Sequence, residues 1–422
     1  MPSLAVPQSA GSRMSNLRHL ALASYWFGLN FHWIPILGVL LPYQVNHLLP
    51  KSQQGAGIAL VTGLGAIFAF ALPPLVGAWS DRLSSPYGRR RPIMAAGTVG
   101  NVAGLLVLMV APNYLVLIAG YLLVQIFNNS AGAAFNATVP DVVPDSEFGK
   151  ASGILGAMVQ VGSVFGLAAS LGMSALGHLT WTYGVIAVVL AISLLPTLWA
   201  SKGEGLGPAP ARIRLPLRAA VADFLKPLRR GDFAWVIGTR TLVTAGTWTF
   251  LPFLQFFFAD VVHSPKPADL TAQWELLLLL VATPFGLIGG WLSDRLGRKI
   301  FVYLGGGFQG VMLLVFALFF PTQQTLVLAL GAVAGIGYGL YYAVDWALAC
   351  DTLPDRSRSA KDMGLFHVAL TLPQVFVPAV AGVVLDSMNR ASANSGYRVI
   401  FASGIVFFLL GTILVSRIKS VR

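Results

Sequence analysis

The chain alternates long apolar runs with short polar clusters. Apolar stretches of about twenty residues, the length an α-helix needs to cross the ~30 Å hydrocarbon layer of a bilayer, recur near residues 20–45, 56–80, 92–112, 114–139, 151–175 and 178–200. A second six follow near 233–260, 273–293, 299–320, 325–350, 363–386 and 397–416. The pattern predicts an all-α membrane protein of twelve transmembrane helices in two six-helix bundles, residues 1–200 and 233–422, joined by a linker over 201–232. The polar clusters repeat as well. Gly77-Ala-Trp-Ser-Asp81-Arg82, running on to Gly88-Arg89-Arg90-Arg91-Pro92, returns in shortened form at Gly290-Trp-Leu-Ser-Asp294-Arg295-Leu-Gly297-Arg298-Lys299. Asp141-Val-Val-Pro144-Asp145 at the end of the fourth run answers Asp351-Thr-Leu-Pro354-Asp355 at the end of the tenth, and Lys150 and Gly153 answer Lys361 and Gly364.

Composition agrees with the pattern: 56% of residues are hydrophobic, 10% are charged and the mean hydropathy is +0.73. A soluble domain carries about a quarter charged residues. The formal charge of +12 does not signal nucleic-acid binding, because of where the basic residues fall. Only Lys51, Lys266, Arg390 and Arg398 lie in loops on one side of the twelve-span arrangement. Basic residues gather on the cytoplasmic side of membrane proteins, so both termini are expected in the cytoplasm and the chain in the inner or plasma membrane. The first apolar run is too long for a signal-peptide core and has no convincing cleavage site before it. It reads as a retained span. The linker mixes Gly, Pro and Arg with a short amphipathic stretch near Leu217–Leu228 and is expected on the anionic inner leaflet, with membrane lipids as partners. Cys350 is the only cysteine, so no metal-site spacing arises. No nucleophile or phosphate-loop constellation appears, and no enzyme activity is expected.

Two six-span units related by an axis along the membrane normal suit a transporter that rocks about a midplane site. The repeated clusters would then hold helix ends together when the cytoplasmic side closes. Gly77, Asp81, Arg82, Gly88, Arg89 and Arg90 make the first gate cluster with Asp141; Gly290, Asp294, Arg295, Arg298 and Asp351 make the second. Gly77 and Gly290 would let helices approach closely. The competing reading leaves the arginines as orientation signals alone.

These motifs resemble the major facilitator superfamily. Pro74-Leu-Val-Gly77-Ala-Trp-Ser-Asp81-Arg82 with Tyr87-Gly88-Arg89-Arg90-Arg91-Pro92-Ile93 resembles more narrowly the glycoside-pentoside-hexuronide:cation symporters, in particular their sucrose transporter branch. Leu41-Pro42-Tyr43-Gln44 and Leu242-Val-Thr-Ala-Gly-Thr-Trp248-Thr-Phe-Leu-Pro252-Phe strengthen the likeness. The resemblance implies proton-coupled uptake of a disaccharide or related glycoside by a monomer, with the proton as coupling ion and no other cofactor. Asn136 departs from the pattern, since sucrose transporters of this kind carry an arginine shortly before the aspartate that Asp141 matches. Melibiose-type relatives place acidic residues in spans one and two for sodium, and this chain has none between Leu20 and Ser80, so the resemblance disfavours sodium coupling.

In the superfamily the first, fourth, seventh and tenth spans line the cavity and the second, fifth, eighth and eleventh flank it. Carried onto this sequence, that selects Asn30, His32, Trp33, Gln125, Asn128, Asn129, Asn136, Gln160, Trp248, Gln255, Tyr341, Trp346, His367 and Gln374 as substrate candidates. Amides donate and accept hydrogen bonds to hydroxyls, and indoles offer flat apolar faces to a pyranose, so the set suits a neutral sugar. Each is equally a residue type that joins helices or anchors them at the interface. Asp345 and Arg240 lie at matching depths about two turns inside spans ten and seven. A buried carboxylate whose guanidinium partner comes and goes could carry the coupling proton; a permanent ion pair is the other reading, and Asp141 is the second coupling candidate. A proton-coupled drug or metabolite antiporter and a non-transporting membrane sensor remain the functional rivals.

Overall fold

The computed structural model describes residues 14–83, 85–202, 225–229, 231–353 and 359–421, and among them no residue is in a β-strand. Eleven helices in the described residues are long and apolar enough to cross a membrane. The twelfth expected span is the first, which is broken. It runs as an α-helix over Asn16–Ile34, widens into a π-helical turn over Pro35–Leu40, and resumes over Leu41–Leu48. Spans two to six are Gln54–Ser80, Arg91–Met109, Tyr114–Val142, Phe148–Ala175 and Thr182–Ala200. Span seven is interrupted like span one: Asp232–Trp248 gives way to a 3-10 turn at Leu251–Phe253 before Leu254–Asp260. Spans eight to twelve are Pro267–Leu296, Arg298–Phe319, Gln324–Asp351, Ser359–Ala391 and Ser395–Leu414.

Side-chain caps and left-handed glycines set several ends. Ser15 accepts from the Arg18 amide at 3.2 Å and Asn113 from the Val116 amide at 3.0 Å, each satisfying a first-turn donor. Gly88 and Gly297 close the two repeated turns with φ of 99° and 94°, a region glycine enters without strain. Both motifs therefore need glycine where they carry it. Most of the expected linker, 203–224, lies outside the described residues, as do Pro354, Asp355 and the side chain of Lys361.

The helix pairings repeat between halves. Span one packs on five and six, two on four, three on four and six; span seven packs on eleven and twelve, eight on ten, nine on ten and twelve. Large apolar side chains such as Ile67, Phe70, Leu287 and Ile288 face outward, as a lipid-facing surface requires. Between the halves, span two lies on eleven, five on eight, and the π turn of span one on eight. The face where spans one, three and five begin carries both repeated clusters and is termed the basic face; the opposite one is the far face.

Candidate functional site

A cavity of about 270 Å³ lies between the halves at the two helix breaks. Trp33, Ile34, Leu37 and Gly38 of span one line it opposite Thr247, Trp248, Phe250, Leu251 and Pro252 of span seven. Irregular backbone at membrane depth is tolerated where it is enclosed by protein or lines a cavity. The breaks thus turn two pore-lining helices into walls with exposed backbone. Thr247, Gln309, Tyr338, Tyr342, Gln374 and Glu275 supply polar groups to a mostly apolar lining.

Arg240 and Asp345 form an ion pair joining spans seven and ten, and both side chains are buried. Tyr341 donates to the other carboxylate oxygen at 3.0 Å. The guanidinium also lies over the Phe366 ring at 3.7 Å, a cation–π contact that sets it from span eleven. Tyr342, a wall of the cavity, precedes Asp345 by three residues, so the pair sits about 4.5 Å nearer the basic face along span ten. The cavity wall and the ion pair therefore share a helix turn.

The other candidates divide into three groups, with Tyr341, Gln255 and Gln160 apart from them. Trp33, Trp248 and Gln374 line the cavity. His32, Asn128, Asn129, Gln125 and Asn30 instead serve the interior of the first half. His32 Nε2 lies 3.3 Å from Asn101 Oδ1, Asn101 donates to Asn128 at 2.9 Å, Asn129 donates to the Gln125 side chain at 2.8 Å, and Asn30 donates to the Trp26 carbonyl at 2.7 Å. Tyr341 holds Asp345, Gln255 is buried off the cavity, and Gln160 crosses between halves to the Leu279 carbonyl and Thr283 hydroxyl at 2.9 and 2.6 Å. Trp346, His367 and Asn136 form the third group, exposed and off the cavity lining. Trp346 and His367 follow Tyr342 and precede Gln374 by one and two helical turns, on the same faces but nearer the basic side. Helical periodicity selects the right face there and cannot fix the depth.

On the basic face the repeated clusters tie helix ends within each half. Arg90 joins Asp81 at 2.7 Å and Asp141 at 3.2 Å and donates to Ser80. Arg298 joins Asp294 at 3.1 Å and Asp351 at 2.6 Å and donates to Ser293 at 3.2 Å. The same serine–aspartate–arginine arrangement is thus built twice. Asp141, the second coupling candidate, is a partner of Arg90 at the end of span four. Of the other gate-cluster arginines, Arg82 is exposed and Arg295 lies over the Trp291 indole at 4.3 Å. Arg89 keeps its Nε and one terminal nitrogen buried without a hydrogen bond. The expected close approach at Gly77 and Gly290 is absent too: a Cβ at Gly77 would meet nothing within 4 Å, and one at Gly290 only Ala343 Cβ at 4.0 Å. Neither glycine brings a neighbouring helix into close contact.

The far face is closed. Asp386 of span eleven accepts from the Gly55 and Ala56 amides at 3.0 and 2.7 Å, capping the start of span two from the other half. A Cβ on Gly55 would lie 2.6 Å from the Gly382 carbonyl, so the close approach occurs here. Lys51 reaches Asp260 at 2.8 Å, and Tyr397 donates to the same carboxylate at 2.7 Å.

Sequence reasoning missed this seal, and it missed Glu275. The eighth apolar run begins near residue 273, which leaves Glu275 looking interfacial. The folded span starts at Pro267, two turns earlier, and Glu275 is 5% exposed. A carboxyl two residues inside an apolar run was the available signal.

The model of the Major Facilitator Superfamily matches residues 20–356 and again 268–421. An uncharacterised transporter of this type from Methanocaldococcus jannaschii is 24% identical over 360 residues, covering 84% of this chain and 85% of its own. A sucrose transport protein of Arabidopsis thaliana is 22% identical over 479 residues, covering 97% and 92%. Proton-associated sugar transporter A of Rattus norvegicus is 27% identical over 205 residues, but that match spans 43% of this chain and only 27% of the relative. Among solved structures, a bacterial homologue of the lysosomal transporter Spinster in an inward-facing conformation superposes with a TM-score of 0.72 at 16% identity, over 96% of this chain and 97% of that one. A nucleoside transporter gives 0.74 at 14% identity, over 96% and 100%. With its two matching halves, paired helix breaks and doubled aspartate–arginine clusters, the chain belongs to the major facilitator superfamily.

Proposed function

We propose that this protein is a secondary active transporter that carries a neutral sugar together with protons by alternating access, with the basic face in the cytoplasm of the cell's inner or plasma membrane. The observation that carries the reading is the cavity at the two helix breaks, walled by the Trp33 and Trp248 indoles, supplied with Gln309 and Gln374 amides, and holding no Lys or Arg. Indoles pack against the C–H face of a pyranose and amides bond its hydroxyls. An anion would find no counter-charge there. The names of the sucrose transport protein and the proton-associated sugar transporter point to the same substrate class and coupling ion.

The far contacts of Asp386 and Lys51, with no close approach at Gly77 or Gly290 on the basic face, fit one end state of the cycle. The opposite state would break the Asp386 cap and the Lys51–Asp260 pair and bring the repeated clusters of the two halves together. Arg240 and Asp345 supply coupling one turn from the substrate. Movement of the guanidinium away from Asp345 would leave a buried carboxylate without its partner, and desolvation then favours the proton.

The test is uptake into proteoliposomes with an imposed pH gradient, using mono- and disaccharides. Accumulation above equilibrium of a neutral sugar, collapsing with a protonophore, is the expected result. Efflux of a lipophilic cation driven by protons would assign the antiporter rival instead, and ligand-independent stability with no flux of either would overturn transport.

A further inference from the structure

Glu275 is the one acidic residue in the cavity lining, and the reading of the Arg240–Asp345 pair does not use it. Its Oε2 is buried and has no hydrogen-bond partner. Across the interface between halves it faces the π turn of span one, where a Cβ on Gly38 would collide with both carboxyl oxygens. The carboxyl thus packs on bare backbone. The cavity lining it shares includes Trp33 and Gly38 of span one, Trp248 and Phe250 of span seven, Gln309 of span nine, and Tyr338 and Tyr342 of span ten, and from span five Gln160 bonds span eight at Leu279 and Thr283, one and two turns further along. Of these only the two tyrosines titrate, ordinarily near pH 10, and no Lys, Arg, His or second carboxylate lines the cavity. A carboxylate without counter-charge or donor is costly in such a place; a carboxylic acid is not.

We propose that Glu275 is a second proton-binding site, filled as the far face closes on Gly38 and emptied when that face opens to water. The inference extends the proton-coupled reading of the same cavity, and its primary test requires neither sugar nor flux. The step is a protonation: a proton from the far-side solution adds to the Glu275 carboxylate, and closure removes the water that solvated the charge. Closure of the far mouth therefore favours the protonated form, and raising the pH favours the open mouth. The Asp386 cap has the opposite sign, since its ionised form is the better acceptor for the Gly55 and Ala56 amides. The two carboxyls can be told apart by the direction of the response.

The experiment places spin labels at Ser52 and Ala393, exposed positions on the far face of either half, in full-length protein carrying Cys350→Ser. Distances are followed from pH 5 to 9, below the range of the two tyrosines. Wild type should shift from the short to the long distance as pH rises. Glu275→Gln, isosteric with the acid, should stay short throughout. Gly38→Ala should favour the long distance at every pH, and the double variant Gly38→Ala/Glu275→Ala, which removes the colliding oxygens, should restore the short one. Identical pH responses in wild type and Glu275→Gln would overturn the proposal, and so would a wild-type distance that answers to Na⁺ at fixed pH rather than to pH. In proteoliposomes Glu275→Gln should move one proton fewer per solute. If wild type accumulates no sugar while the distance still follows Glu275, the sugar reading fails and the proton site stands.

Discussion

At the scale of single residues, the cavity separates side chains that resemble one another in sequence. Trp248 and Trp346 are both indoles on pore-lining spans, yet one walls the cavity and the other is 60% exposed and edge-on to Phe366. Trp248→Ala should weaken sugar binding by about 1–3 kcal/mol, the scale of a lost aromatic or buried polar contact, and Trp346→Ala by much less. Calorimetric titration of the two variants measures the contrast, and equal losses would place the sugar lower, beside Trp346. Asp345→Asn should abolish accumulation driven by a pH gradient, because an amide releases no proton, while equilibrium counterflow survives. Its Arg240 is left without a counter-charge, so the Arg240→Gln/Asp345→Asn double variant is measured beside it. Full gradient-driven accumulation in both would remove this pair from coupling.

At the scale of elements, the repeat was legible because charged residues are rare in this chain and their spacing recurs. The matched depths of Arg240 and Asp345 were legible for the same reason. The helix breaks were not. Pro35, Pro42 and Pro252 are visible in the sequence, but prolines also occur inside spans two, four, six, eight and eleven, which stay helical. Neighbouring helices re-satisfy the freed carbonyls there, so the outcome depends on tertiary context. The far seal was hidden because it pairs Gly55 with Asp386 and Lys51 with Asp260, residues far apart in the chain with no motif to join them. Asp386→Ala should strand the Gly55 and Ala56 amides. Loss of a helix cap costs about 0.5–2 kcal/mol, so the far-open population should rise about two- to thirtyfold, read by cysteine labelling at the far mouth; unchanged labelling would deny Asp386 a part in the seal. A smaller clasp works on the basic face. Glu147, in the loop between spans four and five, accepts from His19 at 2.9 Å and the Met14 amide at 3.1 Å. The His19 hydrogen bond first, then the Met14 amide and the Lys150 charge, holds its carboxyl below the usual carboxylate range. A lowered value means the clasp is in place at neutral pH and is lost only as pH falls through that value. Hydrogen exchange at residues 14–19 should therefore stay slow from neutral into mild acid and quicken below the usual carboxylate range.

At the scale of the whole molecule, the two carboxyls proposed to bind protons lie toward opposite faces. Glu275 is eight residues into span eight from the far face, about 12 Å along the helix, and Asp345 is six residues short of the end of span ten, about 9 Å from the basic face. A proton that reaches Glu275 from the far side has therefore already fallen through part of the membrane's electric field, which is worth about 2.3 kcal/mol per elementary charge per 100 mV over the full thickness. Loading a neutral sugar should consequently make the carrier electrogenic, with binding itself, and not only translocation, answering to voltage. In planar bilayers with equal pH on both sides, a negative interior alone should drive a sugar-dependent inward current, and rapid voltage steps should evoke a transient charge movement before any sugar is added. Glu275→Gln should diminish that transient while Asp345 is untouched, so that the depth of a side chain is read directly as coulombs.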